Sequence, residues 1–262
     1  MKKKYELIED DKVFVGVDTT TTLYRIKALR NFGDVKKGDI GGYIEKEENL
    51  SHIGNCWVAD SAKVFGDATI KDNALVSERA TVCGYATVRG NAKVFQDVLV
   101  YHNAAVYNNA IVRGQAKISG YANIKDKAEI SGRSVIAGCS VICGSAKIQF
   151  RSIINGNAII SGNSIIGGDD TIMIGYGRFN PNAHISSDFD FIVFDNIGSE
   201  HGTLTAFLNK ERDIYCTRGC FEGTLEEFEK AVKKTHGDND FAKEYHIAIE
   251  LIKRRLMGNW EE

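Results

Sequence analysis

The chain has 262 residues, 33 Lys and Arg against 35 Asp and Glu for a formal net charge of -2, and 43% hydrophobic residues. That length can bury a real interior, and the near balance of charge excludes a general electrostatic pull toward nucleic acid. No run of eighteen apolar residues occurs and Met1-Lys2-Lys3-Lys4 leads into alternating polar residues, so neither a spanning helix nor a signal peptide is expected and cytoplasmic placement is the default.

At the front, Tyr5 to Ile8, Lys12 to Val17 and Leu23 to Leu29 read as short strands. Asp10-Asp11 and Asp18 to Thr22 read as the turns between them, giving a small antiparallel β cap over residues 1–57.

From Val58 to Ile172 an aliphatic residue stands at every sixth position, twenty in succession. Two residues before each from Val64 to Ile166 comes a small one, Ala or Ser, with Val98 as the departure. Two residues after comes a turn former, usually Gly and otherwise residues such as Asp72, Asn108 and Asp126, all of which tolerate positive φ. Each hexad therefore reads as a short strand and a tight corner, with the branched residue inward. Three hexads make one eighteen-residue coil, so a solenoid of six to seven coils, stacked at about 4.8 Å, is expected over residues 58–175. A helix would need a period of 3.6, and an antiparallel sandwich would space its turns irregularly.

Behind the rod, residues 176–262 read as an α+β module. Pro181 is placed in a loop after the last coil, and Phe189 to Phe194, Thr203 to Leu208 and Ile214 to Thr217 read as strands. A first helix starts at Thr224, with Glu227 completing a capping box, and ends before Gly237. A second runs from Phe241 to Leu256, with Phe241, Tyr245, Ile249, Ile252 and Leu256 on one face and Gly258 as its stop. Lys253, Arg254 and Arg255 in its last turn suit the helix dipole. None of the six cysteines forms a C-x-x-C pair, so reduced thiols and no metal site are expected.

Residues eighteen apart stack, so the three outer faces are read separately. The first, with Phe65, Leu99, Tyr101, Val135 and Ile153, is the most apolar; the second carries Val141 and Ile159 toward its end. Apolar surface of this kind must be covered, by the C-terminal module or by other copies of the chain. The second face also stacks Lys71, Arg89, Tyr107 and Lys125, three cations and a ring along one edge, where a phosphate-bearing or otherwise anionic ligand is expected to lie.

The hexad pattern resembles the hexapeptide-repeat proteins, whose rods are left-handed and trimerise and whose best-known members are acyltransferases. The segments Leu23-Tyr24-Arg25-Ile26-Lys27-Ala28-Leu29, Gly38 to Ser51 and Gly54-Asn55-Cys56-Trp57-Val58 resemble the lead into the rod in the YdcK-like β-solenoid family of bacteria and phages. Gly202 to Ala206, Gly219 to Leu225 and Thr235 to Asn239 are similar to the tail of the same group, so the likeness spans nearly the whole chain. The resemblance implies a mainly β protein: a single-stranded left-handed parallel β-helix of hexapeptide repeats with a β cap and an α+β tail ending in two helices. It also implies self-association, with a homotrimer favoured. For a phage-borne member it implies, in the host cytoplasm, sequestration of a small anionic or nucleotide ligand or obstruction of a host protein.

Hexapeptide acyltransferases, which this rod resembles, need a histidine base and usually a loop that breaks the hexad register. Here the register reads as unbroken and His102, beside Asn103 and Asn108, is the one histidine inside the run. A Ser199, His236 and Asp238 set has no nucleophile elbow around it. The expectation is a non-catalytic binding or scaffold protein without cofactor or metal, acting neither on membranes nor on nucleic acid. An acyltransferase using an acyl-CoA donor, with His102 as base, is the alternative.

Overall fold

The computed structural model describes residues 3–16, 20–168 and 173–258. Its spine is a parallel β-solenoid of about eight turns whose three sheets repeat every eighteen residues, as in the pairings of Thr81 with Leu99 and Thr87 with Ala105. From Val58 to Ile166 every sixth residue is an aliphatic side chain with no exposure. Ile172 lies outside the described residues.

Past Ile166 the sixfold count fails. Ile154 is stacked under Ile174, Ile160 under Phe179 and Ile166 under Ile185, twenty, nineteen and nineteen residues on. The expectation of an unbroken register through Ile172 is thereby corrected, because an inward position is set by the coil it stacks on and extra residues are absorbed at corners. Pro181 belongs to this last coil instead of a loop beyond it, its carbonyl accepting from Asn163 N at 2.8 Å. The ladder also starts earlier than the repeats suggested: Tyr43-Ile44 pairs in parallel with Lys63-Val64, and Leu50 bridges to Ile70. Stacked rungs thus run from 43 to 185, beyond both ends of the 58–175 stretch.

Interior and corners follow elementary packing. Where Ser replaces Ala in the small column, its buried hydroxyl donates to the carbonyl three residues back: Ser134 to Ser131, Ser140 to Ala137, Ser152 to Gln149 and Ser164 to Ser161, at 2.7–2.9 Å. Corner residues that are not glycine take φ near +60°, and several of them use their side chains on the next coil. Asp72 accepts from Gly90 N at 2.9 Å, Gln96 from Gly114 N at 2.6 Å and Asp126 from Gly144 N at 3.1 Å.

The front cap is an antiparallel hairpin, Tyr5–Val15 against Thr21–Ala28, continued by Ile40–Ile44, which hands the sheet over to the first parallel rung. Asp10-Asp11 is not a turn. It sits in a bulge of one long strand, where Asp11 accepts from Arg25 Nε and Tyr43 OH at 3.2 Å each, anchoring the bulge. The glycine pair of the lead segment has a steric reason: a Cβ on Gly41 would meet Trp57 at 2.5 Å, and one on Gly42 would meet Ala62 O at 2.6 Å.

The C-terminal module is a four-stranded antiparallel sheet, residues Phe191–Ile197, Gly202–Leu208, Ile214–Arg218 and Phe221–Thr224, backed by helices α1 (Leu225–His236) and α2 (Asp240–Met257). The fourth strand was not foreseen, since its Glu-Gly-Thr stretch has no period-two pattern. Thr224 and Glu227 form the expected capping box at 3.2 and 2.8 Å, and Gly258 ends α2 in the left-handed region. Phe241 departs from its expected face: it is 40% exposed, and Ala242 and Ala248 pack in instead. The sheet plugs the rod, with Phe207 buried in the rod's own core and the rings of Phe191 and Phe207 each 5.5 Å from that of Phe179. Arg255 fastens α2 to this end, donating to Asp188 O at 3.1 Å and lying 5.4 Å from the ring of Phe189. A plug of this shape satisfies the open end of a solenoid.

Candidate functional site

Lys71, Arg89, Tyr107 and Lys125 occupy equivalent outward positions on the seven-stranded sheet, each backbone N–H donating to the coil above, at Val88, Val106, Ile124 and Ile142, at 2.9–3.0 Å. Their Cα atoms therefore rise in steps of about 4.8 Å. The Arg89 guanidinium carbon lies 4.7 Å from the centroid of Tyr107, over the ring, a cation–π contact. Among the described residues, the side chains of Lys71, Arg89 and Lys125 enter no ion pair or hydrogen bond. Three other cations of the rod are matched by acids, Arg79 by Asp97 at 2.6 Å, Lys46 by Asp67 at 2.8 Å and Lys147 by Glu129 at 3.9 Å. Lys63, Lys93, Arg113, Lys117, Lys127 and Arg151 form no ion pair among the described residues, so what sets the row apart is its stacking in one column with a ring. The two carboxylates of the neighbouring corner, Asp72 and Asp126, are turned onto backbone amides. The row is thus an exposed strip of unspent N–H donors, able to accept phosphate or carboxylate oxygens.

His102 sits at a corner with φ +58°, exposed, its ring 4.5 Å from that of Tyr101. No hydrogen bond reaches its ring among the described residues, so nothing fixes a tautomer as a general base requires. Asn108 is not its neighbour: it stands in a different corner column and donates to Asp126 at 3.0 Å. Ser199 and His236 line one small cavity of about 200 Å³, but no hydrogen bond joins them, His236 stacks on Tyr245, and Asp238 does not line it. The apolar positions Phe65, Leu99, Tyr101, Val135, Ile153 and Val141 are half-buried, and Ile159, 38% exposed, lines a cleft shared with the C-terminal sheet.

Two clusters carried no sequence signal, because residues distant in the chain make them. The first is a cleft of about 390 Å³ between the last coil and the C-terminal sheet, lined by Arg178, Arg218, Thr203, Thr205, Thr217 and Tyr176 among others. Its polar groups are largely spent on one another: Thr205 accepts from Arg178 N, Thr217 donates to Arg178 O, Thr203 donates to Asp195 and Arg218 donates to Ile197 O. It is a seam that holds the plug. The second lies at the front, where Lys4 is fully buried, its Nζ donating to Cys56 O at 2.8 Å and Sγ at 3.2 Å and lying 5.0 Å from the Phe32 ring. Burial pulls the Lys4 ammonium below its usual range and pushes the Cys56 thiol up, against the pull of Lys4. This pair closes the N-terminal end of the interior.

No known family profile matches the chain. It is 38% identical over 76 residues to a protein of Escherichia coli (strain K12) named uncharacterized acetyltransferase YdcK, a stretch covering 27% of this chain and 23% of that protein. The chain is a weak homologue of YdcK, and its solenoid is consistent with a YdcK-like β-helix family. Among the described residues, no helix is long and apolar enough to cross a membrane.

Proposed function

We propose that this homologue of a protein known only by an acetyltransferase name is a non-catalytic binding scaffold, whose second face sequesters a small phosphate-bearing anion. The observation that carries this reading is the stacking of Lys71, Arg89 and Lys125, none of them ion-paired among the described residues, in one column of the second face with Arg89 over the ring of Tyr107. A rigid ladder keeps such donors at fixed spacing without a folding cost on binding. Calorimetric titration with inorganic triphosphate tests it. Binding is expected, with Arg89→Ala weakening it about tenfold, in line with one hydrogen bond to a charged group, and Tyr107→Ala weakening it less. Triphosphate that produces no heat at millimolar concentration, or binds Arg89→Ala equally well, refutes the reading.

A second reading is transfer of an acyl group from an acyl-CoA donor with His102 as base. It is favoured by the exposure of His102, the one histidine inside the repeats, and by the name of the relative. Consumption of acetyl-CoA that vanishes in His102→Ala would replace the scaffold reading with this one. Self-association belongs to the proposal as well: the half-covered aliphatic strip of Val135, Val141, Ile153 and Ile159 is proposed to pack against other copies in a homotrimer.

A further inference from the structure

The corner joining the first and second faces carries a second set of unspent groups. Tyr85 and Tyr121 are 67% and 62% exposed at positions where a corner needs no ring. Tyr85 N donates to His102 O and Asn103 N to Gly120 O, so Tyr85, Asn103 and Tyr121 stand one above another on three successive coils. The two tyrosines are then about 9.6 Å apart, twice the rise of one coil. Aromatic rings stack in offset fashion with centroids about 4.5–7 Å apart, so a planar ring midway, about 4.8 Å from each, contacts both. Asn103 forms the floor between them. Among the described residues its carboxamide makes no hydrogen bond, whereas Asn73, Asn91 and Asn109 in the next corner column are tied into a ladder at 3.0 and 3.1 Å. A free amide presents one acceptor and two donors, the means of reading the edge of a heterocycle.

From this we infer that Tyr85 and Tyr121 clamp a nucleobase whose edge is read by Asn103, and that the ligand of the second face is a nucleoside di- or triphosphate. The phosphate end of this inference rests on the anion-binding reading above. Four residues of extended chain separate Tyr85 from Arg89, about 13 Å, which calls for a ligand longer than a nucleoside monophosphate. The floor between the two ends is low, made by Thr87, Ala105 and Asn123, and Asn123 is drawn aside by its bond to Tyr121 O at 2.8 Å.

The test is calorimetry on the full chain with ATP, UTP, adenosine, uridine and inorganic triphosphate. At least one nucleotide is expected to bind more tightly than triphosphate. Tyr85→Ala and Tyr121→Ala are each expected to weaken it about 5- to 100-fold, as loss of one base–aromatic stack does. Tyr85→Phe and Tyr121→Phe should retain affinity, which a purely structural hydroxyl would not allow. Arg89→Ala should weaken nucleotide and triphosphate alike and leave the nucleosides unaffected. If triphosphate binds as tightly as both nucleotides and the tyrosine-to-alanine variants stay within twofold, the clamp is wrong while the anion row stands. If nucleosides bind through the tyrosines but Arg89→Ala changes nothing, the anion row is wrong and the clamp stands. No heat from any probe removes both. If loss of binding comes with a changed molecular mass in solution, the rings belong to contacts between copies and the clamp is overturned.

Discussion

Replacing Asp126 separates two forces that hold a corner. Its carboxylate accepts from Gly144 N at 3.1 Å and from Asn108 Nδ2 at 3.0 Å while its own backbone holds φ at +60°. Asp126→Ala loses both bonds, about 1 kcal/mol each, and leaves a Cβ in the left-handed region with no side-chain bond to favour it, about 1–2 kcal/mol more. Asp126→Gly loses the bonds without the strain, and Asp126→Asn keeps an acceptor and tolerates the conformation. The expected losses are therefore about 3–4 kcal/mol for Ala, about 2 for Gly and under about 1 for Asn. In a chain of this size that is a fall in melting temperature of roughly 6–16 °C for Ala and 4–8 °C for Gly. Thermal unfolding followed by circular dichroism reads the order directly. Equal melting temperatures for Ala and Gly would show that positive φ carries no strain at this corner, and an Asn variant as weak as Ala would show that the amide contacts contribute nothing.

Three further outcomes are expected. Light scattering should give a mass near three times the 28.9 kDa of one chain, and Val141→Asp with Ile159→Asp should return it to the monomer; a monomeric wild type ends the trimer proposal. Iodoacetamide at pH 8 should label the exposed Cys139 and Cys220 in the native protein and spare Cys56 and Cys216, the latter because burial pushes its thiol up to about 12; mass spectrometry of native Cys216 carrying label would contradict that burial. Asp190 is buried, which by itself opposes ionisation, yet donors from Ser186, Ser187 and Arg212 outweigh this and hold its carboxyl below the usual range. With the folded value depressed, its contribution is complete above about pH 3.9 and disappears as pH falls through the folded value. Asp190→Asn should melt lower at neutral pH and show a shallower decline than wild type between about pH 4 and pH 2; parallel curves would refute the assignment.

Residue type alone goes only part of the way. His102 stands out as the one histidine inside the repeats, and only the structure shows that its ring lies beside Tyr101 with no hydrogen bond to orient it among the described residues. Tyr85 and Tyr121 attracted no notice because, 36 residues apart, they fit no local motif; only the stacking of coils makes them two sides of one slot. The signal was present in the spacing, since any two residues separated by a multiple of eighteen share a column. Asp10-Asp11 misled in the opposite way. Two adjacent acids ordinarily mark a turn, and only the approach of Arg25 and Tyr43 turned them into a bulge within one strand.

What the sequence by itself determined is the rod. A branched residue at every sixth place, a small one two before and a corner former two after leave a single arrangement that buries all of them, because the same short-range geometry recurs in every hexad. Both ends were beyond its reach. How the first coil is closed by Lys4, Tyr5 and the Gly41-Gly42 pair, where the count slips past Ile166, and which rings of the C-terminal sheet fill the last opening are questions of long-range fit. They depend on which surface each segment meets, and that is decided only once the coils are stacked.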